Sequence, residues 1–252
     1  MVARLFVLTG ASRGLGSALA RRLLAPDVTL LCLSRQADES LVAAAHAADA
    51  KLAQWRVDLA EPGPAAARVE AWLNDFTGDR FDAATLINNA GALAPIGPLG
   101  SADPAALQAA LRVGLEAPLL LSAAFLRATA AWCADRRILN VSSGLGRRAM
   151  AGQATYCAAK AGLDHLSRVL ALEEAGRDHG ARIVSLAPGV IDTDMQVELR
   201  SADAVSFPDR ATFVHLKDSG QLVSADATAE RVLAYLARSD FGSTPVADVR
   251  DA

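Results

Sequence analysis

Tyr156-Cys157-Ala158-Ala159-Lys160 sets a phenol and an ammonium four residues apart. On a helix that spacing stacks them one turn apart on the same face. A phenol with its reference pKa near 10 is a poor proton shuttle at neutral pH, roughly three units away. A nearby cation favours the phenolate, so Lys160 is expected to draw Tyr156 towards a working range. Ser143 stands thirteen residues upstream, at the end of a predicted strand. Its hydroxyl is placed to hold a substrate oxygen as negative charge develops there. The chemistry these three side chains suit is proton delivery to a carbonyl oxygen. Taken alone, the Tyr–Lys pair is also what a solvated helix face offers.

A second cluster is Thr9-Gly10-Ala11-Ser12-Arg13-Gly14-Leu15-Gly16. It lies between an apolar strand pattern and the first helical pattern. Glycines permit the tight turn and the close approach of backbone to a pyrophosphate. The helix beginning near Gly14 then turns its free N–H groups and positive dipole end to that anion. Gly10, Ser12, Arg13, Gly14, Leu15 and Gly16 are therefore read as dinucleotide-binding, and no GK[ST] ending suggests a P-loop instead. A carboxylate closing the second strand would grip the ribose 2′-hydroxyl of NAD. Here that strand ends Leu33-Ser34-Arg35, with no acid before Asp38. Arg35 and Arg13 are both expected to face the adenosine ribose, where guanidinium groups suit a 2′-phosphate. NADPH is thus expected over NADH.

These residues need a scaffold, and the hydrophobic pattern describes one. Short, solidly apolar runs at residues 5–8, 28–33, 52–57, 85–87, 138–141 and 183–186, with a last strand near Val246, alternate with helical patterns. The helices are expected over residues 14–24, 43–50, 65–76, 156–175 and 225–237. Asp103-Pro104 opens another that runs to about Trp132, with an irregularity at Pro118. Apolar strands of this kind are covered on both faces, which is the signature of a parallel, doubly wound α/β sheet. The stretch from Asp192 to Leu222 has no firm pattern, and residues 193–222 are expected to form a lid over the site. Met195, Phe207 and Phe213 are candidates for its pocket walls, with burial in a core, the commoner fate of such residues, as the alternative.

The 252 residues suit one domain, with no linker or repeat. A net charge of −3, with no basic patch, argues against a nucleic-acid partner. Cys32, Cys133 and Cys157 are widely spaced and read as reduced core thiols. The pattern contains no metal-ligand cluster. No signal peptide is evident, and no apolar run approaches a bilayer span, so a cytoplasmic protein with no membrane partner is expected.

The motifs TGxxxGxG at 9–16, NNAG at 88–91, Ser143, YxxxK at 156–160 and PGxxxT at 188–193 resemble, in order and spacing, the short-chain dehydrogenase/reductase family. The likeness spans nearly the whole chain. It implies a single Rossmann-type domain over residues 1–252, with Tyr156 as general acid, Lys160 as ribose anchor and Ser143 as holder of the substrate oxygen. It also implies adenine contacts at Asp58 and Leu59, and an adenosine wall of Asn89, Ala90 and Gly91. Pro188, Gly189, Val190 and Thr193 are expected to bracket the nicotinamide. One departure stands out: Gly114 occupies the place of the asparagine that usually holds a water for proton relay to the lysine.

The C-terminal third resembles sepiapterin reductases and their benzil-reductase relatives, in residues 188–196, 217–224 and 241–243. That likeness implies NADPH-dependent reduction of a small-molecule ketone or vicinal diketone, with Asp248 anchoring a pterin guanidino group. It also implies a homodimer or homotetramer. An alcohol dehydrogenase of another substrate class, or a catalytically weak NADP-binding regulator, stays open as an alternative.

Overall fold

The computed structural model describes residues 3–251. Seven parallel strands form one sheet in the order β3-β2-β1-β4-β5-β6-β7. They are β1 (Arg4–Thr9), β2 (Val28–Ser34), β3 (Lys51–Arg56), β4 (Ala83–Asn88), β5 (Asp135–Val141), β6 (Arg182–Ala187) and β7 (Val246–Asp248). The chain runs outward from β1 to β3, returns to the far side of β1 at β4, and then runs outward again. The crevice at that reversal lies beyond the carboxyl ends of β1 and β4, where open α/β sheets place their ligands.

Period-two alternation decides what each strand buries. In β1, Leu5 and Val7 join the core on one face, and Phe6 and Leu8 join the core on the other. The first face is covered by α3 (Pro62–Asn74) and α5 (Ala117–Ala128), with α6 (Ala154–Glu174) beside them. On the opposite face lie α1 (Gly14–Leu23), α2 (Glu39–Ala47) and α9 (Ala225–Leu236). Each fully buried Leu or Phe in these layers contributes roughly 1.5–3 kcal/mol.

Two helices show where the structure departs from the sequence expectation. α2 begins at Glu39 instead of residue 43, because the Asp38 side chain accepts from Ser40 N and caps it. The long helix from Asp103 does start as expected, with Asp103 capping and Pro104 first in α4 (Pro104–Leu111). It ends at Ala128, and its irregularity precedes Pro118 as a π turn over Arg112–Glu116. Proline has no N–H, and its ring crowds the carbonyl four residues back, which is Gly114, so the ladder widens there. Residues 104–128 do pass for a membrane-spanning helix by length and composition, contrary to the expectation from sequence. The inner face of this helix is core, with Ala117, Leu121, Ala124 and Phe125 fully buried.

The patternless stretch holds two short helices, α7 (Asp194–Ser201) and α8 (Arg210–Asp218). The excursion begins and ends at one place, since Ile191 bridges Val223, and Asp192 N donates to Val223 O at 2.9 Å. Leu199, Phe207 and Phe213 bury one another in a small core of the segment's own, with Leu93, Ile96 and Met150 packed on it. So Phe207 and Phe213 are core residues of this cluster, and Met195 packs against it. Short, mostly polar helices around three apolar residues give too little periodicity to be read from sequence. Of the thiols, only Cys32 is core; Cys133 is exposed and Cys157 half-buried, because both sit outside the strands.

Candidate active site

The predicted site residues lie at the carboxyl edge of the sheet or in the helix that follows, Met195 as the second residue of α7, whereas Phe207 and Phe213 lie further along the chain in the small cluster beyond it. Two hydrogen-bonding side chains hold the first part together. Thr9 Oγ1 accepts from the backbone N–H of Asn89 and of Ala90, both at 3.0 Å. Asn89 Nδ2 in return donates to Thr9 O at 2.9 Å. The glycine loop after β1 and the Asn-rich loop after β4 are thereby locked side by side. A Cβ on Gly10 would stand 2.9 Å from Ala90 Cα, and one on Gly16 only 2.0 Å from Gly10 O. That close packing leaves a cradle of bare backbone. Arg13 precedes α1 without capping it by its side chain, so the first N–H groups of α1 face that cradle. A dinucleotide pyrophosphate fits these donors.

The side expected to take adenosine is built by the ends of β2 and β3. Val57 N donates to Ser34 O at 3.0 Å, which brings Asp58 beside Ser34 and Arg35. Arg35 is exposed, and among the described residues it has no ion-pair partner. Arg13, expected alongside it, instead reaches Asp194 of α7 at 3.1 Å, with both side chains mostly exposed. Asp58 is exposed and accepts from Ala60 N at 2.9 Å, and the Leu59 side chain is in the core. On the other side, a Cβ on Gly14 would lie 3.4 Å from Thr193 Cγ2, so the PGxxxT segment abuts the cradle. Val190 O accepts from Val223 N at 3.0 Å, which ties the Pro188-Gly189-Val190 segment to the residues just before α9.

Ser143, Tyr156 and Lys160 come together beyond β5. Lys160 Nζ donates to Val141 O at 2.7 Å and lies 5.6 Å from the Tyr156 ring centroid. A Cβ on Gly91 would be 3.9 Å from Lys160 Nζ, so the Asn-rich loop meets the lysine. Ser143 Oγ accepts from Leu145 N at 3.2 Å, and its side chain stands near enough to the phenol to favour the phenolate. Burial pushes the Lys160 ammonium down to about 8, partly opposed by the Asp164 carboxylate. The Tyr156 phenol is pushed up from its ordinary value, not down as the sequence suggested. Burial penalises the phenolate more than the Ser143 hydroxyl favours it.

Beneath the trio lies a polar network that the motifs did not reveal. Asp164, buried four residues beyond Lys160, accepts from Ser142 Oγ at 2.5 Å, Ser185 Oγ at 2.6 Å and Arg147 Nε at 3.2 Å. It ties the ends of β5 and β6 to α6, so Ser143 and Lys160 are held from below. The available signal was helical: Tyr156, Lys160 and Asp164 recur every four residues along one face. At the departure noted above, a Cβ on Gly114 would come within 3.1 Å of Ala159 Cβ. The helix before the lysine therefore packs tightly where the usual asparagine would stand.

Asp248 closes β7, buried, and opposite Ala187 in register. Its carboxylate is gripped by the guanidinium of Arg250, at 2.8 Å from Nε and 2.6 Å from Nη2, and by Arg250 N at 2.9 Å. That guanidinium holds the carboxyl of Asp248 below the usual carboxylate range.

Residues 4–204 match the family model for short chain dehydrogenase. The chain is similar to a benzil reductase ((S)-benzoin forming) of Bacillus cereus, 31% identical over 94% of this chain and 96% of that one. It is similar to a sepiapterin reductase of Meriones unguiculatus, 32% identical over 97% and 95% of the two chains. Among solved structures it resembles a 3-oxoacyl-[acyl-carrier protein] reductase from Brucella melitensis in complex with NAD. That match has a TM-score of 0.81 and 25% identity, over 99% of this chain and 96% of the other. A nucleotide cradle, a buried lysine and a phenol meeting at one sheet edge agree with these matches: the chain belongs to the short-chain dehydrogenase/reductase family, oxidoreductases of carbonyl and alcohol groups.

Proposed function

We propose that this protein is an NADPH-dependent carbonyl reductase whose preferred substrates are ketones flanked by a second carbonyl. The observation that carries the reading is the assembly of Ser143, Tyr156 and Lys160 at one sheet edge, with Lys160 Nζ 5.6 Å from the Tyr156 ring centroid and bonded to Val141 O. Reduction uses a phenol that donates its proton to the new alkoxide, and the same group takes it back in the reverse oxidation. The dinucleotide supplies hydride to the carbonyl carbon when bound. Ser143 holds the carbonyl oxygen, and Tyr156 passes its proton to that oxygen as charge builds there. Lys160, adjacent to Gly91, is placed to hold the ribose hydroxyls and to keep positive potential beside the phenol.

Three further features support the details. The unpaired guanidinium of Arg35 beside Ser34 suits a 2′-phosphate, which favours NADPH. Arg13, paired with Asp194, is left a lesser part, and with Thr193 it links the lid to the cradle. Because Arg250 already occupies Asp248, a pterin guanidino group would have to displace it. That supports an aromatic or aliphatic diketone, which carries no guanidine, over a pterin. The lid, with Met195 on its inner cluster, is the substrate cover in this reading.

Leu172 (79% exposed) and Val169 on α6, with Leu119 on α5, leave apolar side chains in solvent, which suits the expected homodimer or homotetramer. The free thiols suit a reducing, cytoplasmic setting.

The test is NADPH consumption over benzil, sepiapterin and a simple ketone. Fastest turnover with benzil supports the reading, and failure on every carbonyl, with NADPH still bound, sinks it in favour of a weakly active NADP-binding regulator.

A further inference from the structure

We propose that Gln153 is a specificity-determining residue, donating a hydrogen bond to the second oxygen of a vicinal diketone; the assignment rests on the diketone reading above. Gln153 is the residue just before α6, three positions ahead of Tyr156. Residues at that position commonly cap a helix with their side chain, and Gln153 does not. It is only 4% exposed, and among the described residues its Nε2 has no hydrogen-bond partner. A buried, unsatisfied amide donor is uncommon in a native fold away from a ligand.

The surroundings say what it is for. Gln153 and Tyr156 line one cleft, together with Thr155, Ala94, Pro95 and Leu107. The cleft is narrow, with room for about one water-sized group. Gly97 N donates to Gly152 O at 3.1 Å and so ties the loop on one side of the cleft to the turn that carries Gln153. The amide is thus a donor beside the acid, carried on a turn held in place by that bond. Carbonyl carbons in a vicinal diketone share a bond. An oxygen held by Tyr156 and Ser143 therefore leaves its neighbour one residue's reach away, on the same flank of the helix. A donor on that neighbour also draws electrons from the carbon that receives hydride. A substrate lacking the second oxygen leaves the amide unsatisfied, and such sites discriminate strongly.

The experiment compares benzil with deoxybenzoin, in which a methylene replaces one carbonyl, using NADPH and the full chain. For Gln153→Leu, similar in size but without the donor, the ratio of kcat/KM for benzil to that for deoxybenzoin should fall about tenfold. A ratio within about twofold of wild type overturns the assignment. Should Gln153→Leu not fold, Gln153→Glu carries the same test, since its carboxylate repels the second oxygen and must lower the ratio at least as far. A wild-type protein that reduces neither compound sinks the diketone reading and this assignment together. A wild-type preference for benzil that neither substitution changes sinks only the role of Gln153.

Discussion

Lys160 reaches back from α6 to place its ammonium 2.7 Å from the carbonyl oxygen of Val141, the residue that closes β5. The cation is thereby held between the sheet edge and the Tyr156 ring, out of solvent, and burial brings its pKa down to about 8. Activity that depends on that charge should fall as pH rises through about 8, and kcat/KM of NADPH oxidation reports it for the free enzyme. Stability runs the other way. The unfolded lysine titrates near 10.5, so between about 8 and 10.5 the unfolded chain binds the extra proton, and this group's contribution to stability rises with pH. A profile flat from pH 7 to 10 would count against the lysine's role.

Tyr156→Phe removes the proton donor and leaves the ring. Reduction of a diketone should drop by about 10²–10⁴-fold. NADPH affinity, read by fluorescence titration, should stay within about threefold of wild type, since the phenol's role lies in the proton step. Retained turnover would remove Tyr156 as the acid.

Arg35→Asp replaces an unpaired guanidinium with a carboxylate where the 2′-phosphate is expected. A charge-assisted hydrogen bond contributes about 1.5–3 kcal/mol, so preference should move towards NADH by roughly 10–100-fold. The check is the ratio of kcat/KM for the two cofactors; an unchanged ratio means that Arg35 only faces water.

Asp164→Ala strips one acceptor from Ser142, Ser185 and Arg147 at once. Arg147 is one-third exposed, which screens its share, and the two buried hydroxyls carry most of the loss. Urea denaturation should show about 2–4 kcal/mol of destabilisation, with Asp164→Asn milder because it keeps the volume and an acceptor. A loss below about 0.5 kcal/mol would mean that the network is not what holds the edge of β5.

Gly16→Ala forces a methyl to within 2.0 Å of Gly10 O. The cradle must open, and a loss of at least roughly 3 kcal/mol, or failure to fold, is expected. Gly100→Ala is the control, with nothing within 4 Å of the added carbon. Equal thermal stability of the two variants would contradict the close packing of the cradle.

The placement of Tyr156, Lys160, Ser143 and the glycine loop was legible because each depends on local rules. Four residues are one helical turn, an apolar run is a covered strand, and glycines between strand and helix leave bare backbone for an anion. The order of elements followed from the same rules, as did the site's place beyond the strand ends. Tertiary structure decided the rest, because energies between residues distant in sequence leave no periodic mark. Asp164 gained its role only when β5 and β6 brought Ser142 and Ser185 against α6. Arg13 was drawn to Asp194, and Asp248 to Arg250, by ion pairs that the motifs do not encode. Burial, a property of the whole fold, reversed the expected direction of the Tyr156 pKa. Sequence determined which groups meet; packing determined which of them keep their protons and which remain unpartnered for a ligand.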